Sequence, residues 1–300
     1  MSLSRTPQGL LAVVIALAAS TCTKKAPPSQ AANTAVAAIA QPASDDLWPA
    51  GIVPSKLDGF KRKVFDQVVN REASACGKGH SLRQSLKQDS DCRASFYAVR
   101  YVVHLADAGF SASEITQQLD RRFRVPRYPH IDLSQAPCKG NPSARVTIAE
   151  FVDYECPHCK LAQAMMHELL EEYPNDVRVC FKHNPWSSHV NARWAAQASV
   201  AAHKQGKFWP YSAKVWENSE HLTPAVLDSA AQAVGLDILR WRKDRASDES
   251  QARVQQDLSE GRDLGIKSTP AIFINGRKYE DAIDSASLKD WIDEELGRQF

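Results

Sequence analysis

The stretch Cys156-Pro157-His158-Cys159 constrains this chain more than any other, because it sets two thiols one helical turn apart where a strand gives way to a helix. The strand is the β-branched and apolar run from Arg145 to Val152. The helix is expected from Pro157 to about Tyr173, with Leu161, Met165 and Leu169 on one stripe and Ala162, Met166 and Leu170 on the next. Pro157 suits the first helical position, where a missing N–H costs nothing. Cys156 is then the N-cap residue, its sulfur facing free backbone N–H groups and the positive end of the helix dipole. A thiolate is stabilised there, and the thiolate is the form that attacks disulfides. His158 offers a second donor or a positive charge. Cys159, one turn further in, is the shielded thiol that resolves a mixed disulfide. The competing reading of CxxC is half of a zinc site, but no second CxxC or HxxxH follows at finger-like spacing.

The 300 residues suffice for one large or two modest domains, and a net charge of +2 offers no electrostatic case for nucleic acid. The basic run Arg121-Arg122-Phe123-Arg124 reads as a solvated helix face. Residues 1–22 differ from the rest: Arg5, an apolar stretch from Leu10 to Ala19 and then small residues read as an export signal. Ala19-Ser20-Thr21-Cys22 resembles the lipobox of bacterial lipoproteins, which implies a lipidated Cys22 and a membrane-anchored protein of the periplasm; cleavage without lipid and an uncleaved anchor are the alternatives. Export decides how the remaining cysteines are read. Seven cysteines less Cys22 leave six, an even number that can pair in an oxidising compartment. Cys156 with Cys159 is one pair and Cys76 with Cys92 the expected second. Cys138 and Cys180 remain, the first ahead of one expected strand and the second in another; their pairing stays open.

Residues 23–47 are rich in Ala, Pro, Ser and Gln without apolar period, a flexible tether that cannot bury enough surface to offset its ordering entropy. Residues 48–128 form a small all-helical module. Phe60, Val64, Val68 and Val69 mark one helix, Ala94 to Ala108 another, and Ser111 with Glu114 caps a third that carries Ile115 and Leu119. A Cys76–Cys92 bridge staples such a unit by roughly 3 kcal/mol. Metal ligation with His80, or electron relay, are the other readings of Cys76.

Residues 129–300 form an α/β domain. Tyr128 to Leu133 is expected as an edge strand, Val177 to Lys182 as the strand after the active-site helix, and Asn275-Gly276 as the turn of a hairpin between Ala271–Ile274 and Arg277–Tyr279. Helices fill the span of about 187–265 between them, and Ser287 opens the last helix. The order strand, helix, strand, helical insertion, hairpin, helix is a thioredoxin-like fold interrupted by an all-helical insertion.

The run Glu150-Phe151-Val152-Asp153-Tyr154-Glu155-Cys156-Pro157-His158-Cys159, with Phe181-Lys182-His183, Gln205-Gly206-Lys207-Phe208-Trp209 and Leu264-Gly265-Ile266-Lys267-Ser268-Thr269-Pro270, resembles DsbA-type thiol:disulfide oxidoreductases of the thioredoxin superfamily. The likeness covers about Asn141 to Leu296. It implies that Thr269-Pro270 is a cis-proline loop facing the cysteines and binding extended substrate, and that Glu150 is a buried acid that takes a proton from Cys159. Phe208, Trp209 and Tyr211 are expected as core of the insertion. The function so implied is dithiol oxidation of cysteine-containing exported proteins, with a membrane or soluble redox partner resetting the Cys156/Cys159 pair and no cofactor. Two alternatives stand beside it: a reductase or isomerase kept reduced by a membrane partner, and a non-enzymatic module that binds peptide, or metal through Cys156, Cys159 and His183.

Overall fold

The computed structural model describes residues 48–124 and 130–297. The export-like segment with Cys22, the tether, and residues 125–129, which include the expected edge-strand start at Tyr128, lie outside them. Five strands form one mixed sheet: β1 (Cys138–Gly140), β2 (Val146–Val152), β3 (Val177–His183), β4 (Ala271–Ile274) and β5 (Arg277–Lys278), in the order β1-β3-β2-β4-β5. β2 and β3 run parallel, and the other three pairings are antiparallel. β2 and β3 are almost entirely buried because helices cover both faces, which is why they read as continuous apolar runs.

Alternation along β2 decides what each face receives. Val146 and Ile148 meet Met166 and Leu169 of α5 (Pro157–Glu172) and Leu288, Trp291 and Ile292 of α11 (Ser285–Gly297). Ala149 and Phe151 point the other way, toward Ile266 and Phe273. Among the described residues the strand at the β3 edge of the sheet is β1 and not residues 130–133. Residues 130–133 carry no strand, because their backbone is satisfied by side chains: Asp132 N–H donates to Glu260 at 2.6 Å, and its carbonyl accepts from the buried Lys182 ammonium at 2.7 Å.

Five helices lie between β3 and β4: α6 (Ala192–His203), α7 (Phe208–Glu217), α8 (Pro224–Ala233), α9 (Ile238–Arg245) and α10 (Asp248–Asp263). Alanines 195, 198, 201 and 202 on α6 let neighbours approach, and the Trp241 indole packs there with its N–H on the Ala198 carbonyl at 2.9 Å. Phe208 and Tyr211 are core, and this core runs without a break into Val152, Tyr154, Cys156 and Cys159.

The N-terminal module has four helices, α1 (Gly59–Arg71), α2 (Leu82–Gln88), α3 (Arg93–Asp107) and α4 (Ala112–Phe123), around a core built on Phe65, Val69, Ala98, Val102 and Ile115. Periodicity marks only three of them; α2 is too short for a period and is fixed by the Ser81/Gln84 capping box. The described residues belong to one compact unit, and module and sheet share a buried boundary. Arg122 is not solvated as its basic neighbours suggested. It is 3% exposed and pairs with Asp290 at 2.6 Å, Glu294 at 3.1 Å and Asp281 at 3.3 Å. Tyr97 donates to the Asp293 carbonyl at 2.8 Å, and a Cβ on Gly297 would lie 2.7 Å from that hydroxyl, so glycine sets how closely α3 and α11 approach.

Candidate active site

Cys156 caps α5 in an extended conformation (φ −82°, ψ 118°), with Pro157 at the first helical position. Both thiols of the pair are free; Cys156 is 7% exposed and Cys159 fully buried. The Cys156 thiol is held down to about 5. The Cys159 S–H, donating to its sulfur, is the largest cause; burial opposes it, and the Cys159 N–H, Thr269 and the His158 N–H add to it. The same contacts act in reverse on Cys159. Burial pushes its thiol up, and proximity to the Cys156 sulfur and the Glu150 carboxyl adds to the rise. One sulfur is thus kept as thiolate at neutral pH and its partner as thiol.

The Thr269–Pro270 bond is cis, and the Thr269 carbonyl lies 3.3 Å from the Cys156 sulfur. The Thr269 hydroxyl favours the thiolate as a donor and itself accepts from the Trp186 indole N–H at 3.0 Å. An indole N–H polarising a hydroxyl that donates to sulfur is a cooperative chain. Asp153, 1% exposed, ties the remaining loops together. Its carboxylate accepts from the Glu155 N–H at 2.8 Å, the Trp186 N–H at 2.7 Å and His189 Nδ1 at 2.8 Å. Burial pushes its carboxyl up while these three donors pull it back.

Glu150 lies on the α5 face of β2, 1% exposed. Its Oε2 accepts from Gln163 of α5 at 2.7 Å, and its Oε1 is buried without a hydrogen-bond partner. Burial pushes the carboxyl up to about 8 against the pull of Gln163. A carboxyl that titrates near neutrality beside a buried thiol can accept and return that thiol's proton. A cleft of about 520 Å³ runs beside Pro270, from Lys267 and Ser268 to Arg121 of α4.

The structure therefore brings Glu150, Cys156, Pro157, His158, Cys159, Thr269 and Pro270 to one place, with the His158 side chain exposed. Cys76 and Cys92 are joined elsewhere, in the helical module, and Cys138 and Cys180 are joined directly across the β1–β3 ladder. His183 packs its ring on Phe181 at 5.2 Å and stands apart from the cysteines' hydrogen bonds. Among the described residues no group of three or more His, Cys, Asp or Glu is placed to hold a metal ion. Sequence reasoning passed over Trp186, Asp153, His189 and Gln163. Gln163 alone had a signal, because it falls one helical turn after Cys159; the other three act through contacts between loops.

The family model described as Thioredoxin matches residues 134–294, more than half of the chain. Among curated relatives, the Na(+)/H(+) antiporter NhaA 3 of Salinispora tropica is 33% identical over 150 residues, which is 50% of this chain and 23% of that protein. The chain thus spans about a quarter of the curated relative's length. Among solved structures, BdbD from Bacillus subtilis matches with a TM-score of 0.51 and 24% identity, over 55% of this chain and 95% of that one. The thiol-disulfide exchange protein alpha-DsbA2 from Wolbachia pipientis matches with a TM-score of 0.50 and 22% identity, over 61% of this chain and 94% of that one. At these identities the two structures establish a shared fold. With that fold, with the CxxC pair at the strand-to-helix junction, and with the match over residues 134–294, the chain belongs to the thioredoxin family.

Proposed function

We propose that this protein is a thiol:disulfide oxidoreductase that works as a dithiol oxidase on cysteine-containing exported proteins. The observation that carries the reading is the opposed environment of the two thiols, with Cys156 held down to about 5 and the buried Cys159 pushed up. In the oxidised enzyme a substrate thiolate attacks the Cys156 sulfur and Cys159 leaves. A second substrate thiolate then attacks the substrate sulfur of that mixed disulfide. Cys156 leaves as a stable thiolate, and the substrate keeps a new disulfide. Glu150 supplies the proton that the leaving Cys159 takes up, and accepts it again when the pair is reoxidised. The cleft beside Pro270 receives the substrate as an extended segment pairing with the Thr269 backbone.

Direction follows from the thiolate. A Cys156 titrating near 5 favours the reduced form by roughly 3 kcal/mol at pH 7, which raises the reduction potential by on the order of 60 mV. Export, and anchoring through lipid at Cys22, place the enzyme where its substrates fold, and a membrane or soluble partner withdraws the electrons. The name of alpha-DsbA2 as a thiol-disulfide exchange protein supports the activity. The deciding experiment is the Cys156/Cys159 reduction potential against glutathione. A value more oxidising than that of thioredoxin, at about −270 mV, supports the oxidase, and a value at or below it assigns a reductase.

A further inference from the structure

The Cys76–Cys92 bridge is markedly asymmetric. Cys76 is exposed, in the loop Cys76-Gly77-Lys78-Gly79-His80, where a Cβ on Gly77 or Gly79 would meet nothing. Cys92 is 4% exposed and is the N-cap of the fifteen-residue α3. Around its sulfur stand three serine side chains that no apolar core requires. Ser95 Oγ is 3.1 Å and Ser74 Oγ 3.8 Å from Cys92 Sγ, and Ser85 Oγ lies 2.8 Å from Ser95 Oγ and 3.1 Å from Ser74 Oγ. All three serines are buried. Ser85 donates to Asp89 at 2.7 Å, and Asp89 is held in turn by His80 at 2.7 Å. Ser85 is placed to donate to Asp89 and to Ser95, and the hydrogens of Ser74 and Ser95 can turn toward the sulfur.

We propose that Cys76–Cys92 is a second thiol:disulfide exchange site, taking electrons from a dithiol on another molecule, with Cys76 the sulfur attacked and Cys92 the sulfur that leaves. A donor thiolate attacks Cys76 Sγ and forms a mixed disulfide; the Cys76–Cys92 bond breaks and its electron pair goes to Cys92. The Cys92 thiolate is received by the Ser95 and Ser74 hydroxyls and by the free N–H groups of α3, so no proton need move in that step. The second donor thiol then attacks the donor sulfur, its proton passing to the departing Cys76. The donor becomes a disulfide and the site a dithiol, a transfer of two electrons. Exchange is fastest when the leaving thiolate is the stabilised one and the attacked sulfur is accessible, and this bridge has both.

Cys138–Cys180 is the internal contrast. Cys138 is half-buried, Cys180 lies fully buried within the sheet, and among the described residues no hydroxyl is placed beside Cys180. The donor must come from outside the molecule. Cys156 begins α5, whose sixteen residues rise about 24 Å. Tyr173, just beyond its far end, reaches Asp293, the residue whose carbonyl binds Tyr97 in the second turn of α3. From Cys156 the contact path to α3 thus runs the length of α5 and on through Tyr173 and Asp293 to Tyr97.

The test uses the full chain carrying Cys156→Ser and Cys159→Ser, with dithiothreitol as the donor, native buffer, acid quench, and alkylation mapped by mass spectrometry. Cys76–Cys92 should open at least about tenfold faster than Cys138–Cys180, at a rate insensitive to urea well below the unfolding midpoint. Ser95→Ala should slow it roughly three- to tenfold, the loss of one charge-assisted hydrogen bond part-formed at the transition state. Equal rates for the two disulfides, opening that follows global unfolding, or no slowing in Ser95→Ala would each overturn the proposal. Failure here leaves the potential of the Cys156/Cys159 pair, measured separately, untouched.

Discussion

Thr269→Val tests how the Cys156 thiolate is held. Valine keeps the shape and the following Pro270 but deletes the hydroxyl that stands between the Trp186 indole and the Cys156 sulfur. A hydrogen bond to a charged group contributes about 1.5–3 kcal/mol. The lower end applies, because Thr269 contributes less than the Cys159 thiol and N–H, which stay in place. At about 1.4 kcal/mol per unit, the Cys156 pKa should rise from about 5 to roughly 6. The sign for stability is that of an acid depressed in the folded state: the reduced form's advantage is fully present above the unfolded pKa and is lost as pH falls through the folded one. Raising the folded pKa by one unit therefore removes about 1.4 kcal/mol from the reduced form at pH 7 and lowers the reduction potential by about 30 mV. Thiolate absorbance near 240 nm, followed from pH 3 to pH 9, reads the first quantity, and glutathione equilibration reads the second. Thr269→Ser, which keeps the hydroxyl, should behave as the unmodified protein. A Thr269→Val titration within about 0.3 units of the unmodified protein would refute the relay.

Cys159→Ser should accumulate mixed disulfides with substrate proteins on diagonal gels while Cys156→Ser accumulates none; equal trapping by both would reverse the assigned roles. Glu150 titrates near 8 in the folded protein against an ordinary 4.5, so the folded state holds the extra proton and stability should fall as pH rises between those values. Glu150→Gln should flatten that fall in denaturant melts and slow reoxidation of the Cys156/Cys159 pair, and an unchanged pH slope would count against it. Arg122→Met takes a partner from the buried Glu294 and the part-buried Asp290 of α11 and should cost roughly 3 kcal/mol; a loss under about 1 kcal/mol in urea melts would show that the ion pairs contribute little. Cys76→Ala with Cys92→Ala opens a bridge between residues 16 apart and should cost about 3 kcal/mol in the same melts. An unshifted midpoint would mean that the module does not depend on it.

The placement of the cysteine pair was legible in the sequence because it is local. A strand, an N-cap cysteine, Pro157 and a second cysteine one turn on need only backbone periodicity and helix-end geometry to set one thiol at the helix end and the other a turn inside. The Asn275-Gly276 hairpin and the Ser111/Glu114 capping box were readable for the same reason, since each is closed within a few residues. Tertiary structure decided the rest. Trp186 lies 83 residues from the Thr269 hydroxyl it polarises, and Asp153 lies 36 from His189; neither spacing carries a period. Tyr128–Leu133 has strand-like residues, yet Asp132 takes its partners from Glu260 and Lys182, so the ladder passed to Cys138–Gly140. Arg122 sits in a basic run that composition assigns to solvent, and the carboxylates of Asp281, Asp290 and Glu294, distant in sequence, make its burial tolerable. Sequence alone determines interactions whose partners are held close by the chain itself. Where the partner arrives by folding, the charge, burial and hydrogen bonding of a residue belong to the tertiary structure.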